Sequence, residues 1–325
     1  MNIHNYTEVI KKDDTYEICK MYKDIKLIYS DSLLDENKLK FDEKKMMNIN
    51  ELYCSSGYIF LNEIINTDII LRHVDFTKYQ FYKIPIAFYT NCIWSVNFYH
   101  FLFEEIPVML KFNMIDPNMP IICNYNQSYC KELIELFKIT NPIIPRTEKC
   151  IIKCDKLIHF NTFFRATPPS NYHIVRNYLI DNKIIEITKL DVPKKIGVLV
   201  KRNEWERQIL NHDDFLNALN INFPDYSWIV FEGNIGLKKS IELFNSASTV
   251  ISPQCSATVN MIFARPNTKF FKIIGHPYNL TGMYMLEKCG MDGYMISCDL
   301  SPEGNGRHFR LNLDKLIPVL KKYID

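Results

Sequence analysis

Three short stretches of this chain carry side chains of a type and spacing that can do chemistry. In NFYHFLFEEIP, Asn97 to Pro107, a helical reading puts Asn97, His100, Glu104 and Val108 on one face, at spacings of three and four. His100 with Glu104 one turn later is a base with an orienting carboxylate. Such a pair takes a proton from a hydroxyl near neutral pH, and the carboxylate stabilises the imidazolium as it forms. The plainer reading is a core histidine bonded to its helical neighbour, with Glu105, Phe101 and Phe103 as packing or surface residues. In KRNEWERQILNHDD, Lys201 to Asp214, Arg202 and Arg207 offer two guanidinium forks for phosphate oxygens. The plainer reading pairs them with Glu204 and Glu206 on a solvated surface. Asp213 and Asp214 have the look of a metal motif, but at a helix start they serve as capping and dipole residues.

The third stretch is TVISPQCSATVNMIFARP, Thr249 to Pro266, where small and polar residues separate two apolar runs. If TVIS is a strand and a helix begins near Ser256, the loop is small so that a ligand can approach the backbone. The free N–H groups of the helix's first turn then favour an anion such as a diphosphate. A tight turn capped by Ser256 explains the same residues. Asn260, one turn in, is either a polar anchor or a residue satisfied locally.

The elements around these stretches must position them. From Ile84 onward, strand-like runs (IPIAFY, MPIICN, NPIIP, CIIKCDKLIHF) alternate with helical patterns (VNFYHFLFEEIPVMLKF, SYCKELIELF). A polar stretch, ATPPSNYHIVRNYLIDN, leads to LDVPKK, whose proline and charges place a boundary near 185 to 194. Beyond it IGVLV, SWIVF, TVIS, KFFKII and GYMIS alternate with helices at DDFLNAL, LKKSIELFNSA, SATVNMIFA and GMYMLEKC. This is the pattern of parallel βα units, an α/β fold in two domains, residues 1–190 and 191–325. Residues 1–80 are an N-terminal elaboration with strand-like pieces such as IKLIYS and GYIFL. The closing LDKLIPVLKKYI is an amphipathic helix with an internal proline, expected to pack back across a domain interface. Ligands of open α/β sheets sit beyond the carboxyl ends of the strands, which locates the loops of interest.

Composition narrows the partners. With 39 basic and 37 acidic residues the net charge is +2, so no overall field draws in nucleic acid. No run of 18 apolar residues and no apolar N-terminal core occurs, which predicts no membrane span, no signal peptide and a cytoplasmic protein. The ten cysteines include no CxxC pair, and Cys150 and Cys154 fit an alternating strand better than a zinc site.

In order and spacing, the three stretches resemble the family 61 glycosyltransferases. VNFYHFLFEEIPVML is similar to that family's N-x-x-H-x-x-x-E-x-x-P helix through Asn97, His100, Glu104 and Pro107. KRNEWERQILNHDD matches its R-x(4)-R-x-I-x-N-E/D segment through Arg202, Arg207, Ile209, Asn211 and Asp213. The stretch from Glu232 to Phe263 matches the run ending G-P-H-G-A-G-L-T-N-x-x-F through Glu232, Pro253, Ser256, Asn260 and Phe263. Gln254-Cys255-Ser256 stands where the family has His-Gly-Ala.

The resemblance covers residues 84 to 325 and implies a GT-B-like fold, two Rossmann-like domains facing across a cleft. It implies inverting transfer from a UDP-sugar, carrying xylose, N-acetylglucosamine or a similar sugar, to a glycan hydroxyl, with no metal or other cofactor. Arg202, Arg207, Asn211, Glu232, Gln254, Ser256 and Asn260 would hold the donor. His100 with Glu104 would be the base, and Asn97 would lie on the acceptor side. Two competing readings are a non-catalytic nucleotide- or sugar-binding module, suggested by Gln254, and a sugar-nucleotide epimerase.

Overall fold

The strands, in chain order, are β1 (Cys19–Tyr22), β2 (Ile25–Ser30), β3 (Leu52–Phe60), β4 (Glu63–Ile65), β5 (Gln80–Tyr89), β6 (Ile121–Asn124), β7 (Ile143–Arg146), β8 (Cys150–Phe160), β9 (Lys195–Val200), β10 (Tyr226–Phe231), β11 (Thr249–Pro253), β12 (Lys269–Ile274) and β13 (Asp292–Ser297). The computed structural model describes residues 19–22, 25–30, 52–60, 63–65, 80–90, 95, 97–125, 127–146, 150–160, 169–188, 195–203, 206–233, 235–274, 285, 286, 289–298, 300–304 and 307–324. The chain divides into two units, residues 42–178 and residues 1–41 with 179–325. The N-terminal stretch is therefore shared between them. Residues 190–194 of the LDVPKK segment, and most of GMYMLEKC, lie outside the described residues.

In the unit of residues 42–178 the described strands follow the order β4-β3-β8-β5-β6-β7. β8, β5, β6 and β7 run parallel, and β3 pairs antiparallel with both β8 and β4. Helices follow β5 and β6, as the alternating pattern predicts. The first runs from Phe98 to Ile115 and packs on the sheet, with Phe112 stacked on Phe88 at 4.1 Å between ring centroids. The polar stretch ATPPSNYHIVRNYLIDN, which the sequence pattern assigns to no element, contains a helix at Pro169–Asp181. A proline suits the first turn of a helix, and Tyr172, Val175, Arg176 and Leu179, spaced three and four apart, bury one face. Of its polar residues, Asn171 and Arg176 are buried as well, while His173, Asn177 and Asp181 are exposed.

In the other unit the order is β1-β2-β13-β12-β11-β9-β10. Strands β10, β9, β11, β12, β13 and β2 are parallel, and β1 closes one edge antiparallel to β2. From β9 the chain steps outward to β10, then returns past β9 to β11 and continues to β12 and β13. This is the doubly wound order 2-1-3-4-5, with its reversal between β9 and β11. On one face, Leu199, Ile251, Phe271, Ile273, Tyr294 and Ile296 form a core with Phe215 and Leu219 of helix His212–Asn222 and Leu316, Val319 and Leu320 of helix Leu313–Leu320. Helix Leu237–Ser246 packs with the helix Ser256–Phe263. Right-handed crossovers from β10 to β11 and from β11 to β12 place both on the opposite face. Gly197 holds β9 close to Trp228 of β10, since a Cβ there would lie 2.4 Å from the indole.

The run SATVNMIFA forms a 3-10 helix rather than an α-helix. Short polar side chains explain the tighter winding: Thr258 Oγ1 donates to the Cys255 carbonyl at 2.8 Å, and Asn260 Nδ2 donates to the Ala257 carbonyl at 3.0 Å. Both favour three-residue closure over the four-residue repeat. Among the described residues, no helix is long and apolar enough to cross a membrane.

Candidate functional site

The helix from Phe98 is not a uniform α-helix. Its first turn, Phe98–His100, passes into a π-helical segment, Phe101–Glu105, before α geometry resumes at Ile106–Ile115. Pro107 lies in the first turn of that last segment and brings no N–H to it. The carbonyl four residues before it, Phe103, accepts from Asn171 Nδ2 at 2.6 Å, a bond from helix Pro169–Asp181. π turns of this kind cluster at functional positions. Here the turn contains Glu104, which meets His100 Nδ1 at 2.9 Å. A carboxylate can only accept, so Nδ1 carries the proton and Nε2 is the basic nitrogen of the ring. His100 keeps 27% of its side chain exposed and Glu104 14%, so the pair is held yet reachable. Asn97 is the exposed residue at the helix entrance, with extended backbone and no side-chain cap.

Glu105, read from sequence as a packing or surface residue, is fully buried, and neither carboxyl oxygen has a hydrogen-bond partner among the described residues. Burial pushes its pKa up from an ordinary 4.5 to about 7, against the opposing pull of the Arg146 guanidinium and the nearby Thr90 and Ser95 hydroxyls. Arg146 ends β7 and donates to Tyr89 Oη, at the end of β5, at 2.6 Å. A buried acid and a buried cation thus share the carboxyl edge of this sheet. The sequence signal was an adjacent pair of glutamates in an otherwise apolar helix, where only one can face outward.

In the unit containing β9, the two donor segments read from sequence emerge on either side of the strand reversal. The loop after β9 carries Arg202 and Arg207, and the turn after β11 carries Gln254 and Ser256. Arg202, only 9% exposed, donates from Nε to the Glu206 carbonyl at 2.7 Å. Arg207 Nη2 donates to the Glu206 carboxylate, while its Nε is buried without a partner among the described residues. The Arg207 side chain keeps 31% of its surface exposed. Arg207 sits at φ 61°, in the left-handed region that residues with a Cβ avoid, and its N–H donates to the Arg307 carbonyl. Leu210 and Phe309 extend the same seam, with Leu210 N–H on the Phe309 carbonyl and Phe309 N–H on that of Gln208. The closing segment therefore fixes the arginine loop.

The other donor-side residues divide into two groups. Asn211 clamps Leu311, donating to its carbonyl and accepting from its N–H, each at 2.9 Å. Asn260 is buried and donates to Ala257. Glu232, half-exposed at the end of β10, pairs with Lys201 at 3.7 Å. Gln254 is partly exposed and Ser256 exposed, with Cys255 rather than Ser256 at the cap position. Asp213 and Asp214 occupy the first turn of helix His212–Asn222 as exposed residues. Among the described residues, no three His, Cys, Asp or Glu side chains group to hold a metal ion.

Two further polar residues near this edge went unremarked in the sequence. His212 is buried, its Nε2 has no partner among the described residues, and burial lowers its pKa. Lys272 is buried on β12, and a lone lysine inside KFFKII was the visible signal.

No curated protein matches the chain. The model of the family described as Glycosyltransferase 61 matches residues 98–271, from the first residue of the His100 helix to the middle of β12 and more than half of the 325 residues. That span takes in the His100–Glu104 pair, both arginines and the turn after β11, and the chain accordingly belongs to the family 61 glycosyltransferases.

Proposed function

We propose that this glycosyltransferase moves a sugar from a UDP-sugar, carrying xylose, N-acetylglucosamine or a similar sugar, to a glycan hydroxyl, with inversion, without a metal ion and on a GT-B frame. The observation that supports it most is the flanking of the β9–β11 reversal by Arg202 and Arg207 on one side and the Pro253–Ser256 turn on the other. Open α/β sheets bind nucleotides at this point. Arginine forks and the N–H groups ahead of the 3-10 helix would meet the charge that grows on the departing diphosphate.

In the transfer the acceptor oxygen attacks the anomeric carbon, the bond from that carbon to the diphosphate oxygen breaks, and its electron pair leaves with UDP. The hydroxyl proton passes to His100 Nε2, and Glu104 steadies the imidazolium through Nδ1. Glu232, Gln254 and Ser256 are the accessible groups for ribose, uracil or sugar hydroxyls, while Asn211 and Asn260 act by fixing backbone. Asn97 serves the acceptor side.

Calorimetry with UDP, alongside transfer assays over a panel of UDP-sugars with and without EDTA, tests this reading. Arg207→Ala should weaken UDP binding at least tenfold. His100→Ala should leave UDP affinity nearly unchanged and cut transfer by a factor of about 10² or more. Equal losses of UDP affinity in the two variants would assign His100 to the donor and remove it as the base. Tight UDP binding with no turnover of any donor would favour the non-catalytic module.

A further inference from the structure

The helix that carries His100 meets helix Pro169–Asp181 through two consecutive residues of the latter. Asn171, fully buried, donates from Nδ2 to the Phe103 carbonyl at 2.6 Å. Tyr172, also buried, joins its hydroxyl to that of Tyr99 and sets its ring edge-on against Phe103, with 4.7 Å between centroids. Tyr99 in turn meets the His100 ring edge-on at 5.0 Å. These contacts fall on the residues that immediately precede the two members of the candidate base pair, Tyr99 before His100 and Phe103 before Glu104.

In an α-helix the Phe103 carbonyl would accept from the N–H of residue 107, and residue 107 is proline. A proline ring also crowds that same carbonyl, four residues before it. The π-helical segment Phe101–Glu105 widens the turn there, with the Ile106 N–H closing on the Phe101 carbonyl five residues back. Asn171 then supplies the donor that position 107 lacks. Its own Oδ1 is buried without a partner among the described residues, so the N–H is the end of this amide that has a task. The Phe103 carbonyl and the Glu104 N–H belong to one peptide plane. Holding that carbonyl in place therefore fixes the direction in which Glu104 leaves the backbone, and from there Glu104 reaches His100 Nδ1 at 2.9 Å.

We propose that Asn171 is a positioning residue for the His100–Glu104 pair: by donating to the carbonyl that Pro107 leaves without its helical donor, it holds the π turn in which Glu104 meets His100. The assignment rests on the reading of His100 as the base, proposed above. With Glu104 accepting at Nδ1, the ring proton stays on that nitrogen and the lone pair of Nε2 is free for the acceptor hydroxyl. If the turn relaxes and Glu104 withdraws, the ring can carry its proton on Nε2 instead, where it cannot take another from the acceptor. Turnover is then lost without any change at the donor segments, which belong to the other unit of the chain.

The test measures kcat, donor KM, UDP affinity and the His100 tautomer, the last by nitrogen NMR at alkaline pH. The proteins are the wild type, Asn171→Leu, and Asn171→Leu combined with Pro107→Ala; the donor is the UDP-sugar of the panel that the wild type turns over fastest. Asn171→Leu should lower kcat by about tenfold or more, leave donor KM and UDP affinity unchanged, and shift His100 from the Nδ1–H toward the Nε2–H tautomer. Pro107→Ala restores an N–H one turn after Phe103, so the double variant pairs the carbonyl within an α-helical turn. It should melt higher than Asn171→Leu yet keep that variant's low kcat and altered tautomer, and it decides the question even where Asn171→Leu alone fails to fold. Wild-type kcat and tautomer in either variant, or loss of UDP affinity in step with kcat, would overturn the assignment. If the wild type turns over no donor, the reading of His100 as the base falls, and the tautomer still tests Asn171.

Discussion

Glu104 and Glu105 are adjacent in sequence and opposite in environment. Glu104 reaches the edge of solvent and holds His100, whereas Glu105 is sealed among Thr90, Ser95 and Arg146. The helix turns about 100° per residue, and the π turn at this point alters which neighbour faces the sheet, so two identical side chains receive different work. The consequence for stability has a definite sign. Because the folded protein holds the Glu105 proton up to about pH 7 and an unfolded chain loses it near pH 4.5, the contribution of this one group to stability is complete below pH 4.5 and declines as pH rises to 7. The decline is on the order of 3 kcal/mol. Thermal melts of Glu105→Gln from pH 5 to 8 should lack this contribution and show the variant gaining on the wild type as pH rises. Parallel curves for the two proteins would show that Glu105 is ionised in the fold at all these values.

Among the elements, the seam between residues 207–211 and 307–311 determines the site more than any single helix does. Backbone bonds from the arginine loop to the closing segment hold Arg207 in its left-handed conformation. Asn211 anchors the end of that loop with both ends of its amide. Asn211→Ala should therefore cost stability, about 1–3 kcal/mol for the two lost bonds, and weaken UDP binding only through the loosened loop. Chemical denaturation measures the first effect; a variant with wild-type stability would mean that the clamp does not form in solution. The helices at SYCKELIELF, DDFLNAL and LKKSIELFNSA were legible because their apolar spacing matches their burial. The 3-10 winding of Ser256–Phe263 and the π turn after His100 were not, since both arise from hydrogen bonds and tertiary packing that the hydrophobic period does not encode.

On the scale of the whole molecule, the N-terminal stretch contributes to both units. β2 pairs with β13 in parallel from Ile25 opposite Gly293 to Ser30 opposite Ser297, and thereby covers an edge of the sheet that carries the donor segments. An uncovered parallel edge presents unpaired N–H and C=O groups to other chains. Deleting residues 1–30 should lower the melting temperature and promote self-association, as measured by light scattering after size-exclusion chromatography. A monomeric deletion variant that melts with the full chain would show that β2 is dispensable. The near-balanced charge, +2 over the whole chain, means that recognition of an anionic nucleotide depends on the local groups at the β9–β11 reversal rather than on a long-range field.

The sequence by itself determined the alternation of strands and helices, the family, and the three stretches that hold the candidate chemistry. Local rules suffice for these: period, capping, and side-chain types at fixed spacing along one segment. The tertiary structure alone decided that β9 and β11 are neighbours, so that the loop after one begins beside the turn after the other. It also decided that Glu105 and Lys272 are buried and that Asn211 binds backbone. These depend on residues up to about a hundred positions apart in the chain, such as Asn211 and Leu311, and no local pattern records what will close against what.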